Sequence, residues 1–124
     1  MKIEIKDNFT NDINIIENID FKYINDELSY VYNFEKYLWK FKENEILLEK
    51  KGEIEYLQKY IKGRLTKSII KMNDLEMELY ILTKEIEKEE NNIKLVYNIY
   101  NDKDIENLIS SFEVKINLGG INGK

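Results

Sequence analysis

The sequence contains no cysteine, histidine, proline or alanine, and it has a single arginine, Arg64. The absence of cysteine excludes a disulfide framework, a thiolate nucleophile and a cysteine-based zinc site. The absence of histidine removes the commonest general base and metal ligand of enzymes. We therefore predict a protein that binds another macromolecule, with no catalytic residue, no metal site and no cofactor.

Long apolar runs are also missing from the 124 residues, so no segment approaches the roughly 20 apolar residues that cross a bilayer. The opening residues MKIEIKDNF lack the apolar core of a secretory signal, which predicts a cytoplasmic protein without a membrane partner. The formal net charge is −5. That charge argues against binding to free nucleic acid, which needs a basic surface, and is compatible with docking on a basic partner.

Apolar and polar residues alternate at both ends of the chain, and a period of two predicts β-strands. The alternation occurs at residues 3–5, 13–15 and 19–23 in the first part of the chain and at 114–118 in the last part. Residues 93–100 are also predicted as a strand, because they are rich in β-branched and aromatic residues. We interpret these segments as a small antiparallel sheet that the two chain ends form together.

Two further segments near the C-terminal end are predicted from local signals. Residues 104–112 are predicted as a short helix with Asp102 as its N-cap. Asp102 and Asp104 could together hold a cation, but the cap is favoured because no further carboxylate stands at a fixed spacing. Residues 119–124, GGINGK, are predicted as a flexible glycine-rich tail that follows a single domain over residues 1–118.

The middle of the chain shows apolar residues at helical spacing. A first amphipathic helix is predicted over about 26–51, and it ends before Gly52, a residue type common just after helices. A second is predicted over about 53–90, where one apolar stripe stays in phase throughout. We predict a helix-dominated α+β fold in which the two helices form an antiparallel hairpin packed beside the small sheet. A single long rod without a turn at Gly52, and a break at Gly63, are left open.

Two faces of these helices are predicted to bind a partner. On the first helix, a narrow apolar stripe consists of Leu28 and the candidate contact residues Tyr32, Trp39 and Ile46. The stripe is either sandwiched between the second helix and the sheet or open to a partner. On the second helix, the face opposite the apolar stripe is basic in its first half and acidic in its second half. The candidate contact residues on that face are Tyr56, Tyr60, Arg64, Lys67 and Lys71.

Three functions are consistent with these surfaces. The favoured one is an accessory inhibitor, encoded by a phage or mobile element with an AT-rich genome, that docks on a larger host protein or ribonucleoprotein complex as anti-CRISPR proteins do. The second is a structural coiled coil that forms a homodimer through the second helix. The third is a small RNA-binding or hydrolytic domain, and RNA would bind the basic patch beside Tyr56 and Tyr60.

Overall fold

The computed structural model describes residues 1–119, and every helix or strand assigned in that range is a β-strand. The eleven strands are β1 (Lys2–Asp7), β2 (Ile13–Glu17), β3 (Phe21–Ile24), β4 (Glu27–Tyr32), β5 (Glu35–Phe41), β6 (Glu45–Lys51), β7 (Ile54–Ile61), β8 (Leu65–Met72), β9 (Leu75–Glu89), β10 (Asn92–Tyr100) and β11 (Leu108–Asn117). Their sequences are rich in β-branched and aromatic residues, which fit the pleated surface of a sheet.

All eleven strands belong to one antiparallel sheet, in the order β2-β1-β11-β10-β9-β8-β7-β6-β5-β4-β3. From β3 to β11, each strand pairs with the next strand along the chain, so this part of the sheet is a simple meander. β1 then pairs with β11, and β2 with β1. The first and last strands of the chain are therefore neighbours.

The sheet curls until a short stretch of chain joins its two edges. The edge strands β2 and β3 follow each other in the chain, and only residues 18–20 separate them. Because a chain extends at most about 3.6 Å per residue, the end of β2 and the start of β3 are no more than about 14 Å apart. Lys88 Nζ of β9 also lies 3.2 Å from Asp26 Oδ1 in the β3–β4 turn, although four strands lie between β9 and β4 in the sheet. The result is a curled half-barrel.

One face of the half-barrel, the concave face, holds the core. Leu28, Trp39, Leu48 and Gln58 are directly opposed across β4 to β7, and all four are buried. The residues between them along each strand point to the convex face and are more exposed. This alternation is the pattern of a sheet with one covered face.

Two-residue turns let neighbouring strands pair closely. Asn25 and Asp26 join β3 to β4 with φ of 53° and 63°, and Asn33 and Phe34 join β4 to β5 with φ of 52° and 65°. Turns with positive φ at both residues match the twist of a hairpin. Asparagine and aspartate adopt this conformation readily, whereas a phenylalanine is strained in it by about 1–2 kcal/mol.

The prediction of two long helices is wrong. Residues 26–51 form β4 to β6 and residues 53–90 form β7 to β9, so the helical hairpin and the coiled coil are wrong as well. Each turn changes which alternate positions of the next strand face inwards. Apolar residues that belong to different faces of the sheet therefore recur in the sequence at spacings near 3.6 residues. In the stripe assigned to the second helix, Leu57 is exposed on the convex face while Leu79 is buried on the concave face.

The strands predicted at the two chain ends are present, but they belong to the large sheet and do not form a small one.

The short helix predicted over 104–112 is wrong, because β11 begins at Leu108. The assignment of Asp102 as an N-cap is wrong with it: Asp102 Oδ1 accepts hydrogen bonds from the N–H groups of Glu106 and Asn107 at 3.2 and 2.9 Å within the loop 101–107. The predicted tail beyond Gly119 lies outside the described residues. Residues 1–119 contain no helix that could span a membrane.

Candidate functional site

The turns of the meander alternate between the two ends of the half-barrel, because neighbouring strands run in opposite directions. One end, which we call the mouth, carries the turns 8–12, 33–34, 52–53, 73–74 and 101–107. The opposite end, which we call the base, carries the turns 25–26, 42–44, 62–64 and 90–91.

The concave face is covered near the base and open near the mouth. β9 shows the change most clearly, because its alternate residues on this face become steadily less exposed. Leu75 is 68% exposed and Met77 50%, whereas Leu79 is 8% exposed and Ile81 is fully buried. Met72 of β8, directly opposite Leu75, is 38% exposed. Apolar side chains on the inner face of the sheet are therefore in contact with solvent at the mouth.

A row of directly opposed residues crosses β4 to β9 at the boundary between the open and covered parts. This row, the tyrosine row, consists of Tyr30, Tyr37, Lys50, Tyr56, Ile70 and Met77. The rings of Tyr30 and Tyr37 stack with their centroids 5.1 Å apart. Trp39 Nε1 donates a hydrogen bond of 3.0 Å to Tyr30 Oη, which ties the row to the buried core below it.

Lys50 is held in the middle of the row by a carboxylate and two aromatic rings. Its Nζ lies 2.8 Å from Glu35 Oε2, and the two side chains are only 12% and 18% exposed. The same Nζ is 5.7 Å from the ring centroid of Tyr37 and 5.5 Å from that of Tyr56, within the range of a cation–π contact. The hydrogen bond from Lys50 lowers the pKa of Glu35, which is therefore ionised at neutral pH.

Gly52, in the β6–β7 turn, provides the space that Glu35 occupies. A Cβ added at Gly52 would lie 2.8 Å from Glu35 Cγ, closer than unbonded carbon atoms approach. The Ile54 N–H donates to Glu35 Oε1 at 3.4 Å from the far side of the same turn. The turn thus positions the carboxylate within reach of Lys50.

The tyrosines of the row and of the core beneath it are neutral at physiological pH. Burial raises the pKa of Tyr30, Tyr37 and Tyr56, and at Tyr56 the nearby hydroxyl of Tyr97 raises it further. Burial also raises the pKa of Tyr97 to about 12. Neutral phenols offer an apolar ring together with a hydroxyl that both donates and accepts hydrogen bonds. The arrangement is suited to contact with a ligand that is mostly apolar.

Large apolar side chains surround the mouth. They are Phe9, Phe34, Met72, Leu75, Ile105 and Leu108, and we call them the apolar rim. Phe34 is fully exposed at the tip of its turn, and both Phe34 and Ile105 have positive φ, which side chains of this kind rarely adopt. The turns at the base consist only of charged residues, asparagine and one glycine. The two ends of the half-barrel are thus chemically different.

The structure brings five of the eight predicted contact residues to the concave face. Trp39, Ile46 and Tyr60 are buried there by the protein's own side chains. Tyr32 and Tyr56 are half-buried nearer the mouth, and Tyr56 belongs to the tyrosine row. The sequence had placed these residues on two separate helices.

The three basic residues of the predicted contact set lie elsewhere. Arg64 is in a turn at the base, and Lys67 and Lys71 are exposed on the convex face of β8. Lys67 pairs with Glu78 at 3.1 Å, and Lys71 lies 4.0 Å from Glu76. The partner-binding role of the eight residues stays a prediction.

Sequence reasoning missed Glu35, Lys50 and the exposed concave residues of β8 and β9. One signal was available: Glu35, Tyr37, Trp39 and Phe41 stand at every second position, which is the period of a strand. The contact between Glu35 and Lys50 depends on strand pairing and could not be read from the spacing alone.

A family profile described as a domain of unknown function, DUF1934, matches residues 3–116. The chain belongs to the DUF1934 family. A search of curated proteins finds no match. Among solved structures, the crystal structure of the ywiB protein from Bacillus subtilis is similar, with a TM-score of 0.62 and 16% sequence identity over 94% of this chain and 87% of that chain. At this identity the likeness shows that the two chains share a fold.

Membership of DUF1934 and the β half-barrel overturn the function predicted from the sequence. The coiled-coil scaffold required a second long helix that residues 53–90 do not form. The phage or anti-CRISPR inhibitor and the RNA-binding domain were assigned to faces of helices that are absent from residues 1–119. Function must instead be sought on the surfaces of the half-barrel.

Proposed function

We propose that this DUF1934 protein binds a small, mainly apolar ligand at the mouth, against the concave face of β7 to β9. The observation that carries the proposal is the exposure of Leu75 and Met77 on a face whose residues nearer the base form the core. Ligand sites are typically concave and mostly apolar, with a few polar groups that orient the ligand. Curled antiparallel sheets are well suited to this, because their inner face can hold a small molecule.

The side chains at the mouth divide into two kinds. Ile70, Met72 and Met77 would contact the apolar body of the ligand, and methionine adapts its shape to a partner because its side chain is unbranched and polarizable. The phenols of Tyr37 and Tyr56 are half-buried at the edge of this surface and would hydrogen-bond a polar group of the ligand.

We propose binding without catalysis. The raised pKa values of the tyrosines keep them protonated at neutral pH, and the Glu35 carboxylate is already engaged by Lys50, so these groups support a binding role. A cytoplasmic location, the absence of a membrane or free nucleic acid partner, and docking on a larger protein or ribonucleoprotein complex stay proposals from the sequence.

Binding of an uncharged fluorescent probe tests the proposal. N-phenyl-1-naphthylamine brightens in apolar surroundings and should show saturable binding to the intact protein. Met77→Glu should weaken that binding by about tenfold or more, because it places a charge against the apolar body of the probe. Leu57→Glu is the matched control, since Leu57 is similarly exposed but lies on the convex face.

Circular dichroism of both variants would establish that each retains the sheet. Saturable binding that Met77→Glu weakens and Leu57→Glu leaves unchanged supports the proposal. Absence of saturable binding, or equal loss in the two variants, would overturn it.

A further inference from the structure

The acidic residues of the turns are concentrated at the mouth. The five turns of the mouth contain six acidic residues and one lysine, Lys103, which gives them a net charge of −5. The acidic residues are Asp12, Glu53, Asp74, Asp102, Asp104 and Glu106. The four turns of the base contain three acidic and three basic residues, and their net charge is zero. The connection 18–20, which leaves β2 at the same end, adds Asp20 and brings the sum to −1.

These six carboxylates have no cationic partner among the described residues. Each of the nine ion pairs found within residues 1–119 involves other acidic residues. Lys50, the lysine of the tyrosine row, is neutralised by Glu35. The negative charge at the mouth is therefore not compensated by ion pairs.

The acidic residues are also interleaved with the apolar rim. Asp74 directly precedes Leu75, and Asp104 and Glu106 flank Ile105. All five of these side chains are exposed. Apolar contact surface and negative charge therefore occur side by side at the tips of the same turns.

We infer that the ligand of the mouth is a cationic amphiphile, a molecule with an apolar body and a positively charged amine. This inference rests on the proposed function. A cluster of uncompensated negative charges attracts a cation and repels a carboxylate or sulfate, and charge complementarity of this kind selects between ligands of equal apolar size. The body would lie against Met72 and Met77, with the amine towards Asp74.

The same charge argues against other occupants of the mouth. An anionic membrane surface would be repelled by the acidic turns. Two copies docked mouth to mouth would bring together turns with a combined net charge of −10, since the turns of each mouth carry −5. A positively charged ligand is the occupant that both the apolar rim and the acidic residues fit.

Three ligands with the same dodecyl chain test the inference, each used below its critical micelle concentration. They are dodecyltrimethylammonium, dodecyl maltoside and dodecyl sulfate, and displacement of N-phenyl-1-naphthylamine gives their affinities. The cation should bind about tenfold or more tightly than the neutral ligand, and the anion more weakly than either. Added salt should reduce the preference for the cation, because ions screen exposed charges.

Charge-neutralising variants identify the source of the preference. Asp74→Asn combined with Asp104→Asn should reduce the preference for the cation by about threefold or more and leave dodecyl maltoside binding unchanged. Glu43→Gln combined with Glu90→Gln removes the same charge from the base and should change neither affinity.

The outcomes separate this inference from the proposed function. Equal affinity for the three ligands, tightest binding of the anion, or an equal effect of the two double variants overturns the cationic ligand while leaving apolar binding at the mouth intact. Failure of the probe and of all three ligands to bind overturns the proposed function itself.

Discussion

Tyr60 of β7 and Tyr97 of β10 have ring centroids only 4.7 Å apart, although two strands lie between them in the sheet. In a flat sheet, three strand spacings would place them about 14 Å apart. The contact exists because the concave face folds over on itself beneath the tyrosine row. It closes the core towards the base and leaves the mouth as the open part of that face.

The buried tyrosines predict a loss of stability in alkali. The folded pKa of Tyr97 is about 12, above the unfolded value of about 10. The contribution of Tyr97 to the free energy of unfolding is therefore complete below pH 10. It falls by about 1.4 kcal/mol per pH unit as the pH rises from about 10 to 12. Urea denaturation across this pH range measures the effect, and Tyr97→Phe should make the dependence shallower. A stability that is independent of pH in this range would contradict the burial of Tyr97.

The contact between Gly52 and Glu35 predicts the effect of one added methyl group. Gly52→Ala should destabilise the protein by about 1–3 kcal/mol, because the new Cβ overlaps Glu35 Cγ and forces that side chain away from Lys50. The pKa of Glu35, measured by NMR, should rise towards its ordinary value when the hydrogen bond from Lys50 weakens.

A second substitution separates this clash from a general backbone effect. In the background of Glu35→Ala, the cost of Gly52→Ala should fall, because the overlapping Cγ is gone. Gly63→Ala serves as a control, since Gly63 has φ of 75° and open space around it, and its cost should not depend on Glu35. The same cost for Gly52→Ala in both backgrounds would show that Glu35 is not the obstacle.

Thr83 predicts a stabilising substitution. Its Oγ1 is the one buried side-chain polar atom without a hydrogen-bond partner among residues 1–119, and the residue is fully buried opposite Tyr97. Thr83→Val should therefore raise the free energy of unfolding by about 1 kcal/mol. Thr66→Val, which removes a hydroxyl bonded to the Lys59 carbonyl, should lower it. A loss of stability in Thr83→Val would show that its hydroxyl is hydrogen-bonded.

The strands near the chain ends were predictable, because residues such as Ile3 and Ile5 alternate with charged neighbours over an uninterrupted segment. The middle of the chain was not, because two-residue turns break the alternation every few residues and leave apolar residues at helical spacings. Asn25, Asn33 and Asn73, each with positive φ at a turn, are the local signals of those hairpins. The apolar residues at helical spacing favoured helices over these turn signals, although those residues belong to both faces of the sheet.

The site was less accessible to sequence reasoning than the strands. Tyr32 and Tyr56 are predicted contact residues and do lie near the mouth. The prediction rested on their positions around two helices, however, and those helices do not form. The tyrosine row brings residues 30 to 77 together through five successive strand pairings, and the position of each depends on every turn before it. An error of one residue in any turn would move every later residue of the row to the convex face.

The methyl groups of the three methionines provide the most direct test of ligand binding at the mouth. Met72 and Met77 lie on the open concave surface, whereas Met1 packs against the core at the start of β1. In a protein labelled at its methionine methyl groups, titration with N-phenyl-1-naphthylamine should shift the NMR signals of Met72 and Met77 and leave that of Met1 in place. Saturable binding that moves Met1 alone, or that moves none of the three, would contradict a ligand site at the mouth.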